Sequence, residues 1–337
     1  MSSEDTPPPA PPLFLTDADV QQLSDWDDAI ATIRAAYAAP EDDGRTPGRI
    51  FAQTSREWTR IMPSIPASGR LFGSKAIVGS FADGLQVSYL ISLFDKSDAA
   101  LVALIDGNRV TGLRTAATTA VAAAAITPGG PLSIGIVGSG FEARSHLEAL
   151  SRVLEVSEIR IFSPTEANRE RFASEVDGAY GAPAWAVASA EAAARGADLL
   201  LCAARSRDES PTVQAEWVGD SATVLSIGST TPAQRELPVE LLERAATIVV
   251  DTFDEVVHGS GDMLAAAEAG VAVEHKTVTL NAVLTETQRV DPEQGIRIYK
   301  STGSGLQDIA VAEMLVERAQ RAGTGTRLPV GIVTSRK

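Results

Sequence analysis

The stretch "SIGIVGSGFEARSHLEAL" runs from Ser133 to Leu150 and raises a question of phosphate chemistry. A short apolar run leads into glycines and then into a helical pattern, the context that lifts a Gly-x-Gly-x-x-Ala spacing above chance. Gly138 makes the tight turn, Gly140 lets backbone approach a pyrophosphate, and Ala143 lets helix and strand pack closely. The helix N-terminus then favours negative charge. Gly138, Ser139, Gly140, Phe141, Glu142 and Ala143 are therefore the expected dinucleotide contacts. The end of the next strand reads Ser163-Pro164-Thr165, with Arg169 nearby, where an NAD-preferring site usually carries an acid for the ribose hydroxyl. Hydroxyls and an arginine suit a 2′-phosphate, so NADP(H) is favoured and NAD(H) is the second candidate. The bland alternative is that Ser163 only caps a helix and Arg169 is a solvated charge.

The elements that must position this site follow from periodicity. "LFLTDADV" reads as a strand and a helix capped by Thr16, and "SDWDDAIATIRAAY" as a helix capped by Ser24 with Ile30, Ile33 and Tyr37 on one face. Five short β-like runs from "GRIFAQ" to "AALVALIDG" form a mostly antiparallel sheet. "LRTAATTAVAAAAI" is an Ala-rich helix stopped by "TPGGP". Strands and helices then alternate, which implies a doubly wound parallel sheet covered on both faces. The expected fold is α/β: a Rossmann-type domain over 128–297 inserted into an α/β domain over 13–127 and 298–337, behind a disordered tail over 1–12. The last long amphipathic helix is expected to return to the first domain.

Composition excludes several function classes. The net charge of −15 repels nucleic acid and anionic membrane. No apolar run reaches the ~18 residues of a membrane span, and the N-terminus lacks the pattern of a signal peptide. One cysteine, Cys202, and three histidines leave little for a disulfide or a metal centre. A cytoplasmic location is expected, with Cys202 a small core residue.

Four segments in order, "FGSKAIVGSF", "VTGLRTAATTAVAAA", "GIVGSGFEARSHLEAL" and "IYKSTGSGLQDIAVAE", resemble the ornithine cyclodeaminase/mu-crystallin family. The resemblance runs from about Leu13 to the C-terminus. It implies homodimerisation through the first domain and a small α-amino or α-imino acid substrate. It also implies a carboxylate-binding set of Arg114, Lys75 and Arg49, with Arg56 and Arg60 close enough to Arg49 to compete for that role. Arg binds a carboxylate bidentately, and the N-terminus of the alanine-rich helix, which Arg114 is read to precede, adds positive potential. Lys75 sits among alternating apolar residues, so burial must pair it or shift its pKa. Asp308 matches a frequent family acid, and Lys75, Arg114 and Asp308 form the expected catalytic set. Ser301, beside Lys300, is expected near the nicotinamide.

One position departs from the cyclodeaminases. Their loop after the fifth Rossmann strand carries an acid/base Asp two residues before a Pro; here Pro232 aligns and the position is Thr230. A hydroxyl cannot replace a carboxylate base, so Thr230 is left as a substrate contact. The expected activity is NADP(H)-dependent reduction of the C=N bond of a small α-imino acid, or amino-acid dehydrogenation in reverse. Two alternatives stay open: cyclodeamination, with Asp251, Asp254 or Asp262 replacing the acid, and a non-catalytic NADPH-dependent ligand-binding protein.

Overall fold

The computed structural model describes residues 11–40, 42, 44–204 and 210–334. The chain divides into two compact units, one ending at Arg114 and resuming at Ser304, the other spanning Thr115–Gly303.

The first unit contains β1 (Leu13–Leu15), α1 (Asp17–Leu23), α2 (Trp26–Ala38), β2 (Ile50–Gln53), β3 (Glu57–Ser64), β4 (Leu71–Ser80), β5 (Gln86–Asp95) and β6 (Leu101–Asp106). Helix α3 (Gly107–Ile126) begins in it and carries the chain across the division. The second unit holds β7 (Leu132–Val137), α4 (Phe141–Leu150), β8 (Val156–Phe162), α5 (Glu166–Val176), β9 (Ala184–Ala186), α6 (Ala190–Ala194), β10 (Leu199–Cys202) and β11 (Thr223–Ser226). It continues with α7 (Val239–Arg244), β12 (Ala245–Val250), α8 (Phe253–Val257), α9 (Gly261–Glu268), β13 (Thr277–Thr279), α10 (Leu280–Leu284) and β14 (Ile296–Lys300). Helix α11 (Gly305–Ala322) and β15 (Thr326–Arg327) belong to the first unit.

In the first unit the sheet runs β15-β1-β6-β5-β4-β3-β2. The five strands β2 to β6 pair antiparallel in sequence, as alternation and short turns require. Its two faces differ. One cross-strand row is Met62, Lys75, Ile91, Ile105 and Leu15, all buried. The opposite face carries the row Ile50, Ile61, Ala76 and Leu90, in which Ile50 is 65% and Leu90 44% exposed. The caps differ from expectation at one point. Thr16 forms a full capping box with Asp19 on α1, but the N-cap of α2 is Asp25, and the Ser24 hydroxyl closes α1 by donating to the Val20 carbonyl.

The second unit's sheet, β13-β12-β14-β11-β10-β7-β8-β9, is parallel at every pairing. Strands β7, β10, β11 and β14 are buried throughout, which explains their unbroken apolar reading. Two expected boundaries move. A cut between residues 297 and 298 would split β14, which lies whole between β11 and β12 and is buried along its length. The earlier division falls inside α3, after Arg114, rather than at the Pro-Gly turn, because the helix begins well before its alanine run. Residues 1–10 of the expected tail lie outside the described residues. Pro11 and Pro12 are tied to the chain end, accepting from Arg327 and from the Leu328 N–H.

Candidate functional site

Two sites emerge, one in each unit. In the first, Lys75 projects from the centre of β4 with its Nζ 2.7 Å from both Asp308 oxygens. Arg114 Nε donates to the same carboxylate at 3.0 Å, and its Nη1 donates to Gln307 Oε1 at 2.6 Å. Lys75 and Asp308 are fully buried and Arg114 is 6% exposed. Burial, reinforced by the Arg114 and Arg49 guanidinium groups, pulls the Lys75 pKa down to about 7 although Asp308 opposes the shift. Arg49 therefore acts on Lys75 electrostatically, which sets it apart from Arg56 and Arg60 as the third cation. Lys75 and Arg114 share the single Asp308 carboxylate, and burial, with the added repulsion of Arg114 and Arg49, is what depresses Lys75.

The helix that carries Arg114 corrects one expectation. It starts at Gly107, where the Asp106 carboxylate accepts the Asn108 N–H. Arg114 thus sits two turns into α3, and the helix dipole, which fades within the first turn, does not explain its role. Direct ion pairing does.

In the second unit, β7 ends at Gly138, whose φ of 133° only glycine adopts easily and whose Cβ would meet the Ala203 carbonyl at 2.8 Å. Gly140 is the N-cap of α4; no side chain caps that terminus, and a Cβ at Gly140 would meet nothing within 4 Å. The open backbone and uncapped N–H groups fit a pyrophosphate. Ala143 is fully buried, as close helix–strand packing needs, and Phe141 is exposed. The Glu142 carboxylate lies 3.6 Å from the His146 ring rather than across the helix end. The Ser139 hydroxyl donates to Ser163, linking the glycine turn to the end of β8. Pro164 and Thr165 are exposed, and Thr165, not Ser163, is the N-cap of α5. Arg169 donates to the Ser163 carbonyl at 3.1 Å and pairs with Glu166 at 3.2 Å, so it is folded against the strand end.

The carboxyl edge of this sheet is laced by buried acids. Asp251 accepts from the Ser301 hydroxyl and from the Thr302 and Gly303 N–H groups. The Ser301 hydroxyl is thus turned toward Asp251. Asp262 pairs with Lys300 at 2.8 Å and accepts the Glu236 and Leu237 N–H groups. Lys300 in turn donates to Ser226 and to the Ser229 carbonyl, fixing the loop that carries half-buried Thr230. Asp251 and Asp262 are therefore committed to holding loops, and Asp254 is exposed on α8 beside His258. Cys202 is buried, and burial pushes its thiol well above the ordinary range.

Sequence reasoning did not single out Glu236 or Gln307, and it placed Tyr37 only on the apolar face of α2. Glu236 is fully buried, accepts from Ser226 and the Gly228 N–H, and is pushed up to about 7 by burial, against the pull of Lys300. Gln307 adjoins Asp308 on the first turn of α11, a proximity that was the available signal.

A model of the ornithine cyclodeaminase/mu-crystallin family matches residues 11–323. Alanine dehydrogenase of Archaeoglobus fulgidus is 28% identical over 320 residues, which cover 94% of this chain and 98% of that one. Ketimine reductase mu-crystallin of Mus musculus is 28% identical over 319 residues, 91% of this chain and 97% of that one. A solved archaeal alanine dehydrogenase dimer with bound NAD superposes with a TM-score of 0.85 at 26% identity, covering 94% of this chain and 98% of that one.

Proposed function

The chain belongs to the ornithine cyclodeaminase/mu-crystallin family, and from that premise we propose that it reduces the C=N bond of a small α-imino acid, or oxidises the matching amino acid in reverse. The observation that carries this reading is the buried trio of Lys75, Arg114 and Asp308, with half-buried Arg49 near enough to act on Lys75 electrostatically. Three cations against one carboxylate leave room for a second carboxylate, which an α-imino acid brings.

Reduction adds a hydride to carbon and a proton to nitrogen. A nicotinamide dinucleotide supplies the hydride when bound. Gly138, Gly140 and the uncapped start of α4 would hold its pyrophosphate. NADP(H) is favoured over NAD(H), because the strand end offers Ser163, Thr165 and Arg169 and the nearest acid, Glu166, is paired with Arg169. Arg114, Lys75 and Arg49 together hold the substrate carboxylate. Lys75, with a pKa near neutrality, donates the proton at Nζ to the nitrogen. Asp308 orients Lys75 and Arg114.

Cyclodeamination is the weaker reading. Thr230 occupies the position of the acid, and Asp251 and Asp262 are engaged elsewhere. A pure binder of apolar ligands would have no use for the buried cations Lys75 and Arg114. The outer face of the first sheet, with Ile50, Ile61, Ala76 and Leu90 in one row, suits a two-fold partner and supports the homodimer we propose. The archaeal alanine dehydrogenase structure is likewise a dimer.

The test is an NADPH-oxidation screen over pyruvate with ammonia or methylamine and over Δ1-pyrroline-2-carboxylate, run beside an ornithine assay. Consumption of NADPH with an imino acid supports the reading. Proline formation from ornithine, with ammonia release and no net NADPH use, overturns it.

A further inference from the structure

We propose that Gln307, backed by Tyr37, is a positioning residue that sets the plane of the Arg114 guanidinium for carboxylate recognition. This rests on the function proposed above and adds a residue to it. The guanidinium is a rigid planar fork of donors. The Nε contact to Asp308 holds one edge of the fork, and Asp308 is shared with Lys75. The second contact, from Nη1 to Gln307 Oε1 at 2.6 Å, fixes the plane.

The amide can serve only in one orientation. Arginine has no acceptor, so the Gln307 oxygen must face Arg114 and its NH2 must point away. That NH2 donates to the Tyr37 hydroxyl at 2.8 Å. Gln307 is 0% and Tyr37 2% exposed. The three side chains come from α3, α11 and α2, so the brace ties three elements to one guanidinium. Burying an amide costs free energy unless both ends are hydrogen-bonded. An apolar residue would fill the same fully buried position without that cost, so the amide points to a directional role.

The experiment uses the full chain with NADPH bound and pyrrole-2-carboxylate as an unreducible probe of the carboxylate site. Dissociation constants for the probe and for NADPH are measured by calorimetry on the wild type, Gln307→Met, Tyr37→Phe, the double variant and Arg114→Ala. Gln307→Met is expected to weaken the probe by about 10- to 100-fold, the range for a lost hydrogen bond to a charged group, with NADPH affinity unchanged. Tyr37→Phe, which keeps the ring, should weaken it by about threefold. The double variant should be no worse than Gln307→Met, because both act through one chain of contacts. In turnover, Gln307→Met should raise KM for the imino acid and leave kcat within about twofold.

Probe binding by Gln307→Met equal to wild type overturns the proposal, as does an additive double variant or an equal loss of NADPH affinity. If Gln307→Met does not fold, Tyr37→Phe decides: unchanged probe affinity overturns the proposal. Loss of the probe in Arg114→Ala but not in the Gln307 and Tyr37 variants leaves the proposed function standing and removes this inference alone. A wild type that does not bind the probe overturns both.

Discussion

Carboxylate binding should weaken as pH rises through neutrality, because Lys75 loses its charge there. Its pKa is lowered to about 7, so the ammonium form dominates below that pH and the neutral amine above it. About nine-tenths of the free protein carries the charge at pH 6, about one-tenth at pH 8 and about one-hundredth at pH 9. How far affinity follows that fraction depends on what the charge contributes. Two unit charges 4 Å apart at an effective dielectric of ~20 attract by about 4 kcal/mol, roughly a thousandfold in binding. Binding to the neutral form through Arg114 and Arg49 alone is then negligible over this range. Affinity for pyrrole-2-carboxylate, whose own charge is constant between pH 6 and 9, should fall about 100-fold across that interval. By linkage, each binding event above pH 7 should take up close to one proton, read by calorimetry in buffers of different ionisation enthalpy. The fall should disappear in Lys75→Met, which binds weakly at every pH. A flat wild-type profile, or the same slope surviving in Lys75→Met, would refute the reasoning.

Arg114→Ala should cut kcat/KM for the imino acid by at least about 30-fold, since losing one partner of a buried charge-assisted contact costs about 2–5 kcal/mol; a loss below tenfold in steady-state assays contradicts it. Fluorescence titration should show NADPH binding more tightly than NADH, with Arg169→Ala weakening NADPH selectively by about 1–3 kcal/mol. Equal affinities in the wild type count against that preference. Thr230→Ala should matter far less than Arg114→Ala in the same assay, because a hydroxyl there positions and does not transfer protons. Leu90→Asp, in the exposed apolar row of the first sheet, should convert a dimer to monomers in light scattering; a wild type already monomeric at micromolar concentration removes the interface.

Much of this was legible in the sequence wherever the signal is local. The glycine turn, the buried parallel strands and the Thr16 capping box follow from spacing and period. Lys75 as a buried cation follows from its apolar alternation. Misreadings arose where tertiary context overrides local pattern. Helix α3 begins in "GNRVTG", a stretch with two glycines and two β-branched residues that propensity disfavours. Strand β14 reads as the start of a C-terminal segment, and only its pairing with β11 and β12 assigns it to the parallel sheet. The Tyr37–Gln307 contact spans 270 positions and the Arg114–Gln307 contact 193. No periodicity reports such pairs. The engagement of Asp251 and Asp262 with loop N–H groups was equally invisible, since an acid that holds a loop and an acid that moves a proton look alike in one dimension.

The split of the first unit also orders events during synthesis. Lys75 and Arg114 lie early in the chain, whereas Asp308 follows 233 and 194 residues later. A nascent chain stopped at Gly303 holds the entire contiguous parallel sheet but none of α11. Domains fold as units during translation, so the dinucleotide unit can mature while the first sheet still has its lysine and arginine destined for burial and no acid between them. Burying unpaired charge is strongly unfavourable, and the early sheet must therefore stay open until the last helix leaves the ribosome. The arrival of α11 covers the cations and brings the Asp308 carboxylate to them in the same step. The cluster of Lys75, Arg114 and Asp308 is complete only once α11 has been made.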